Sequence, residues 1–356
     1  MAWPCVKGTI ILKAKNPSEE DCALAYAAEI LRNGGLVAFP TETVYGLGAN
    51  ALNLQAVKEI YRVKKRPPDN PLIVHITGIE QARDLVCSIP REAVLLAEKF
   101  WPGPLTLVLA KKKHVPDIIT AGLSSVAVRV PAHPLALKLM AKAGIPLAAP
   151  SANLSGHPSP TTAGHVLDDM AGSIDAVLDG GSCSIGVEST VLSFLSDPPA
   201  LLRPGGITLE MLQDVLQSKV MDFARRQQSK DFKGTPSSPG MKYRHYAPQT
   251  PLYLVEGEGA DQRRKLADLN KKLAQEGYKV GLILFEESRD FYAAPVIKVL
   301  SSKKDPCLAA ERLFAVLRSK DFLDVDVIIA EGLEEKEIGH AVMNRLRKAA
   351  TKIIVP

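Results

Sequence analysis

Lys64, Lys65 and Arg66 stand together on a turn that Pro67 and Pro68 stiffen, and three cations on a rigid turn suit an anion such as a phosphate chain. Lysine supplies a point charge there, and arginine a planar fork for bidentate contact. The same cations also suit a solvated helix C-terminus, whose dipole favours positive charge, so the turn alone leaves both readings open. A second constellation, Pro40-Thr41-Glu42-Thr43-Val44-Tyr45-Gly46-Leu47-Gly48, is dense in hydroxyls. Thr41, Thr43 and Tyr45 could hold a small polar ligand or could satisfy their own backbone, and Gly46 and Gly48 allow close approach or positive φ. Arg129 sits in the otherwise apolar run Val126–Val130, where it needs an anionic partner: a protein carboxylate or a substrate one. Ser151, Asn153 and Ser159 in the Pro150–Pro160 loop offer donors and acceptors but no strong base. No cysteine lies in a polar motif and no Ser-His-Asp order stands out, so any catalysis here works by positioning and charge stabilisation. The glycine spacing matches neither a Walker A loop nor Gly-x-Gly-x-x-Gly after a strand.

The elements that must hold these residues alternate between helix and strand. Asn16-Pro17-Ser18-Glu19-Glu20 starts a helix, with capping side chains, proline in the first turn and acids at the positive dipole end. It runs to about Arg32 and stops at Gly34-Gly35. Leu36–Phe39 reads as a buried strand that empties into the hydroxyl-rich loop. Asn53 caps a helix whose apolar Val57, Ile60 and Tyr61 keep helical spacing up to the basic turn. Apolar runs predict strands at 72–74, 105–110, 126–130, 147–149, 176–178, 191–194 and 201–203. Helices are expected around 78–86, 91–100, 135–143, 162–170 and 208–216. His75, at the end of a strand, reads more readily as a core side chain than as a base.

The formal net charge of +5 is unevenly placed. Residues 1–217 hold 19 basic and 20 acidic side chains, residues 218–250 hold 7 and 2, and residues 251–356 hold 18 and 17. Neither flanking region therefore carries the bulk charge of a nucleic-acid binder, though a local basic groove stays open. Five scattered cysteines without a Cys-x-x-Cys pair argue against a disulfide framework and a zinc knuckle. With no signal-peptide-like stretch at its start and no apolar run of about 18 residues, the chain is expected in a reducing cytoplasm and off the membrane.

Residues 218–250 are basic, polar and rich in Ser, Pro and Gly, as a linker is. Within them Lys242-Tyr243-Arg244-His245-Tyr246-Ala247-Pro248 packs three rings and two cations into a segment suited to docking, or to a cation–π surface loop. From Leu252 onward, strand, helix (262–275), strand (280–285), helix (307–319), strand (325–330) and helix (341–350) predict a compact α/β unit with a parallel sheet.

The set Phe39–Leu47, Lys64-Lys65-Arg66-Pro67, Asn70-Pro71-Leu72, Val130-Pro131, Pro150–Asn153, Gly186–Thr190 and Arg203-Pro204-Gly205, in that order over residues 10–217, resembles the YrdC/Sua family. The Lys242–Pro248 segment and the α/β unit after it resemble the two-domain Sua-type form. The resemblance implies an α/β fold: an N-terminal open, twisted sheet around a large basic cavity (1–217), a linker crossing the active site (218–250) and a small Rossmann-like C-terminal domain (251–356). It implies an L-threonylcarbamoyladenylate synthase, a nucleotidyltransferase using L-threonine, bicarbonate or CO2, and ATP with Mg²⁺. The product would feed a separate transferase complex that makes t6A on tRNA, with weak direct contact to tRNA left open. Carried over by motif, Lys64 and Arg66 would be catalytic and grip ATP with Asn70, Ser125, Ser151, Asn153, Ser159 and Arg203. Thr43, His75, Arg129, Ala149 and Ser189 would hold threonine. Tyr243, His245 and Tyr246 would close over the site, and no protein side chain would ligate metal. Two competing functions are a structured-RNA-binding module and a carbamoyl-adenylate activity like that of hydrogenase-maturation carbamoyltransferases. The near-neutral 1–217 balance counts against the first. The missing acylphosphatase and zinc-finger-like segments count against the second.

Overall fold

The computed structural model describes residues 3–13, 16–226 and 245–355. These divide into two compact units, one of residues up to 155, 160–184 and 188 onward to the linker, the other of 156–159, 185–187 and the C-terminal residues.

The first unit is built on twelve strands among the described residues. In chain order they are β1 (Cys5–Val6), β2 (Thr9–Lys13), β3 (Val37–Phe39), β4 (Gly46–Asn50), β5 (Ile73–His75), β6 (Leu105–Ala110), β7 (Ser125–Arg129), β8 (Leu147–Ala148), β9 (Ala176–Asp179), β10 (Thr190–Ser193), β11 (Ala200–Arg203) and β12 (Met221–Asp222). They lie side by side as β1-β2-β9-β3-β4-β8-β5-β7-β6-β10-β11-β12, with parallel and antiparallel pairs mixed. The central strands read as unbroken apolar runs because both faces are covered: β3, β5 and β7 are buried at every residue. One core packs the sheet against helices Leu54–Lys64, Arg91–Phe100 and Leu209–Leu216; a second packs it against Pro17–Arg32 and Pro134–Ala143. The helix starts follow local chemistry. Asn16 accepts from Glu19 N–H at 3.0 Å, and Asn53 accepts from Gln55 and Ala56.

Two readings of the sequence change here, and an open one is decided. Gly46–Asn50 is a strand, not an open loop. Of the two roles left open for Gly48 the structure selects close approach: a Cβ on it would stand 2.8 Å from the Phe39 ring. Residues 218–226, given to a linker by composition, begin with β12 paired to β11 and a short helix Phe223–Arg226. Strands β1 and β2 carried no prediction, since β1 is exposed and β2 only partly buried.

The second unit has a five-stranded parallel sheet. Its strands are β13 (Leu252–Val255), β14 (Val280–Leu284), β15 (Val296–Val299), β16 (Val327–Glu331) and β17 (Lys352–Ile354), ordered β15-β14-β16-β13-β17. The edge strands β15 and β17 were not anticipated; neither has a fully buried residue to mark it. Helices Gly259–Gln275, Pro306–Leu317 and Gly339–Ala349 connect the sheet. Gly186 belongs to this unit. Its φ is +76°, and a Cβ would come within 2.4 Å of the Glu311 backbone, so only glycine fits.

Candidate active site

Strand register decides which of the candidate residues can act together. His75 and Arg129 are direct neighbours at the ends of the parallel strands β5 and β7. Antiparallel β6 brings Leu105 to that same end, β10 aligns Thr190 with Leu105, and β11 aligns Arg203 with Val191. One end of the sheet thus gathers His75, Arg129, Thr106, Ser189 and Arg203. The opposite end of β5 and β7 carries Ser125 and the Lys64–Asn70 turn, and β8 runs back so that Ser151 returns there too, bridged to Gly46. Four residue steps separate Ser125 from Arg129, about 13 Å of strand.

At the first end Arg129 is nearly fully buried and is held from several sides. Its Nε donates to the Gly103 carbonyl at 3.2 Å and its Nη1 to Thr43 Oγ1 at 2.9 Å. Nη2 stands 2.7 Å from Glu42 Oε1, a close ion pair, yet off the line a hydrogen bond needs. Thr41 Oγ1 donates to the Val44 carbonyl at 2.6 Å, receives the Thr43 and Val44 amides at 3.2 Å, and lies 2.8 Å from Thr43 Oγ1. Ser189 Oγ is bonded to Thr106 Oγ1 at 2.7 Å and accepts from Arg203 Nη2 at 3.1 Å, while Arg203 Nε donates to the Ser189 carbonyl at 3.0 Å. Arg203 thus stands with Ser189, a candidate threonine contact, although the resemblance assigns it to nucleotide. His75 is wholly buried, edge-on to Phe39 at 6.0 Å. Burial first, and the Arg129 charge second, push its pKa down to about 3, so the ring is neutral. The Ala149 amide donates to the Ile73 carbonyl at 2.9 Å.

At the other end Lys64 is buried and its Nζ reaches the carbonyls of Ser151 and Asn153, both at 2.5 Å. The lysine therefore ties the Ser-x-Asn loop to the basic turn. Arg66 folds back on its own turn, Nε to the Asn70 carbonyl at 3.0 Å and Nη2 to the Pro71 carbonyl at 2.7 Å. Lys65 takes a left-handed backbone (φ +50°) and is exposed, so of the three cations it is the one turned outward. Ser159 is buried within the segment of the second unit.

Two hydroxyls of the first constellation serve structure. Tyr45 O–H donates to the Gly181 carbonyl at 2.7 Å and accepts the Gly180 amide, and burial raises its pKa above the ordinary tyrosine range. Thr41 is spent on its own turn. Tyr246 has φ +64°, and its ring lies 5.2 Å from Phe314 with the Arg345 guanidinium 5.6 Å from its centroid, all in the second unit. The His245 ring is 5.6 Å from that of Tyr246. Tyr243 lies outside the described residues.

Polar atoms buried without an aligned hydrogen bond mark this strip of the sheet: both Glu42 oxygens, Asn70 Oδ1, His75 Nδ1 and Arg129 Nη2. Native interiors rarely leave such atoms unmatched, and a ligand is one way to complete them. Glu42 is the residue that the sequence reading passed over. The available signal was an acid between two threonines, directly after a buried strand.

Similarity to known proteins bears on what that ligand is. A family profile described as "Telomere recombination" matches residues 29–205, and one described as "Threonylcarbamoyl-AMP synthase, C-terminal domain" matches residues 207–351. The threonylcarbamoyl-AMP synthase of Pyrococcus abyssi is 50% identical over 345 residues, covering 96% of this chain and 98% of its own length. That of Bacillus subtilis is 48% identical over 334 residues, with 94% of each chain covered. The chain belongs to the threonylcarbamoyl-AMP synthase family. A crystal structure of P. abyssi Sua5 complexed with L-threonine superposes with a TM-score of 0.91 at 50% identity, covering 98% of this chain and all of that one. Family membership covers both units, so the C-terminal sheet is part of the family architecture. Among the described residues no helix is long and apolar enough to cross a membrane.

Proposed function

We propose that this chain is an L-threonylcarbamoyladenylate synthase, joining L-threonine, CO2 or bicarbonate, and ATP into threonylcarbamoyl-AMP with release of pyrophosphate. The observation that carries the reading is the row of buried, unmatched polar atoms on Glu42, Asn70, His75 and Arg129, running between two clusters of cations and hydroxyls. An amino acid and a nucleotide fill such a strip end to end.

The threonine carboxylate meets Arg129, whose Nη2 has no aligned hydrogen bond, and the side-chain hydroxyl meets Thr43 or Ser189. The amine attacks CO2, forming N-carboxy-threonine. Neutral His75 lines the site without competing for the proton. A carbamate oxygen then attacks the α-phosphate, and pyrophosphate departs. Lys64 and Arg66 offset the charge that builds on the phosphates, with Asn70, Ser125, Ser151 and Asn153 orienting them. Lys64 acts partly through the Ser151–Asn153 loop, which it fastens. The residues about the nucleotide end are cations, amides and hydroxyls, a donor set that suits phosphate oxygens. Mg²⁺ entering with ATP would be held by those oxygens and would supply further charge neutralisation. The product passes to a transferase complex acting on tRNA, a role that suits the cytoplasm.

The test is pyrophosphate release from ATP and bicarbonate with and without L-threonine, with products read by mass spectrometry. Threonine-dependent release with a threonylcarbamoyl-AMP mass is the expected result. Threonine-independent hydrolysis, or tight RNA binding without turnover, would overturn the reading.

A further inference from the structure

Glu42 is an acid whose surroundings do not account for it. Its side chain is only 9% exposed, beside Arg129 at 4%. Both carboxylate oxygens are buried and neither accepts an aligned hydrogen bond among the described residues. A buried carboxylate without donors is costly, and such groups normally accept several. The other titratable groups that sense it are neutral. The His133 imidazole is held below its ordinary pKa by burial, and burial pushes the Cys183 thiol up to about 12. Arg129 is therefore the cation that balances Glu42, and their alignment leaves Nη2 and both oxygens able to bond elsewhere.

An ion pair of this kind presents a negative acceptor beside a positive donor. An α-amino acid presents the inverse, an ammonium and a carboxylate on one carbon. We infer that Glu42 receives the α-ammonium of the amino-acid substrate while Arg129 takes its α-carboxylate, so that the pair reads the zwitterionic head group as a unit. The inference rests on the proposed threonine site and adds to it the residue that recognises the amine. Net charge supports it: a neutral ion pair beside neutral His75 receives a neutral zwitterion, with no charge left uncompensated in the buried site. The arrangement also sets direction. Attack on CO2 needs the free amine, so the ammonium first gives a proton to solvent; a second N–H proton follows it when the C–N bond forms, and Glu42, its cationic partner gone, repels the anionic carbamate oxygen. That repulsion favours rotamers in which the carbamate faces the cation-rich phosphate end.

The experiment is calorimetric titration of the full chain, without nucleotide, with L-threonine and with 3-hydroxybutyrate, which is threonine without its amine. The wild-type protein is expected to prefer threonine by about 10- to 100-fold, the range for hydrogen bonds to a charged group. Glu42→Gln is expected to lose most of that preference and to keep its ATP affinity. A purely positioning role, in which Glu42 only steadies Arg129, would weaken both ligands by the same factor and would overturn the inference. A wild-type protein that binds both ligands alike overturns it without any variant. If Glu42→Gln fails to fold by circular dichroism, Glu42→Asp keeps the charge and withdraws it by one methylene. It should weaken threonine and leave 3-hydroxybutyrate unchanged; an equal loss for both would again overturn the inference. Synthesis of threonylcarbamoyl-AMP without amine preference would sink this inference alone, whereas a wild-type protein that neither binds threonine nor makes the adenylate would sink the reading beneath it.

Discussion

Two buried acids, one from each unit, live in opposite ways. In the second unit Glu331, at the end of β16, is 1% exposed and saturated: Ser288 Oγ at 2.8 Å, the Phe285 amide at 3.1 Å and Lys303 Nζ at 2.6 Å. Lys303 Nζ also reaches Gln262 Oε1 at 2.9 Å, and Gln262 Nε2 reaches the carbonyls of Gly332 at 2.9 Å and Val255 at 3.2 Å. This network occupies the carboxyl ends of parallel strands, where α/β sheets usually take ligands, and fills the place with the protein's own side chains. In the first unit Glu42 has one cation beside it and no aligned donor. A satisfied buried network builds structure. The Glu42–Arg129 pair, beside residues that can bind charge, marks the candidate site.

The comparison can be broken most sharply at the Lys64–Arg66 turn. Arg66→Ala should lower the rate of adenylate formation about a hundredfold, or ~3 kcal/mol of transition-state stabilisation, with threonine affinity little changed. Near-normal turnover by that variant would remove Arg66 from the machinery. Next, Glu331→Gln should cost about 2 kcal/mol in urea unfolding while leaving threonine and ATP affinities alone. The figure is kept low because Lys303 is 30% exposed and its ion pair is screened. Altered substrate binding in Glu331→Gln would mean that the two networks are not separate in role.

A third measurement sharpens the site side. His75 has a folded pKa of about 3 against an ordinary 6.5, so below pH 6.5 the unfolded chain takes up a proton that the folded one refuses. Its contribution to stability is present above pH 6.5 and is lost as pH falls toward 3. Thermal melts across that window should fall less steeply for His75→Gln than for the wild type; parallel curves would contradict the buried neutral ring. The smallest effect is expected at an exposed pair. Arg83 binds Glu80 at 2.6 Å with both side chains more than half exposed, and Arg83→Ala should shift unfolding by less than about 0.5 kcal/mol.

Much of the first unit was readable because its central strands are buried on both faces. Val126–Val130 announced a strand, and an arginine within it announced a partner, which the structure identifies as Glu42. Helix starts were readable from single caps such as Asn16. What stayed hidden needed neighbours distant in sequence. Gly48 looks like a loop residue until the Phe39 ring is seen against it. Edge strands β15 and β17 have too little burial to pattern their residues. Glu42 was visible as a letter within a motif, but its lack of hydrogen bonds exists only in three dimensions.

A hydroxyl has one hydrogen and two lone pairs, and the turn draws on all three at Thr41. Its hydrogen goes to the Val44 carbonyl, and its lone pairs face the Thr43 and Val44 amides. Nothing is left over for a visitor. Thr43 Oγ1, 2.8 Å away, turns a lone pair to the Arg129 guanidinium instead. One threonine is thus a rivet in its own turn, and its neighbour a latch on the arginine.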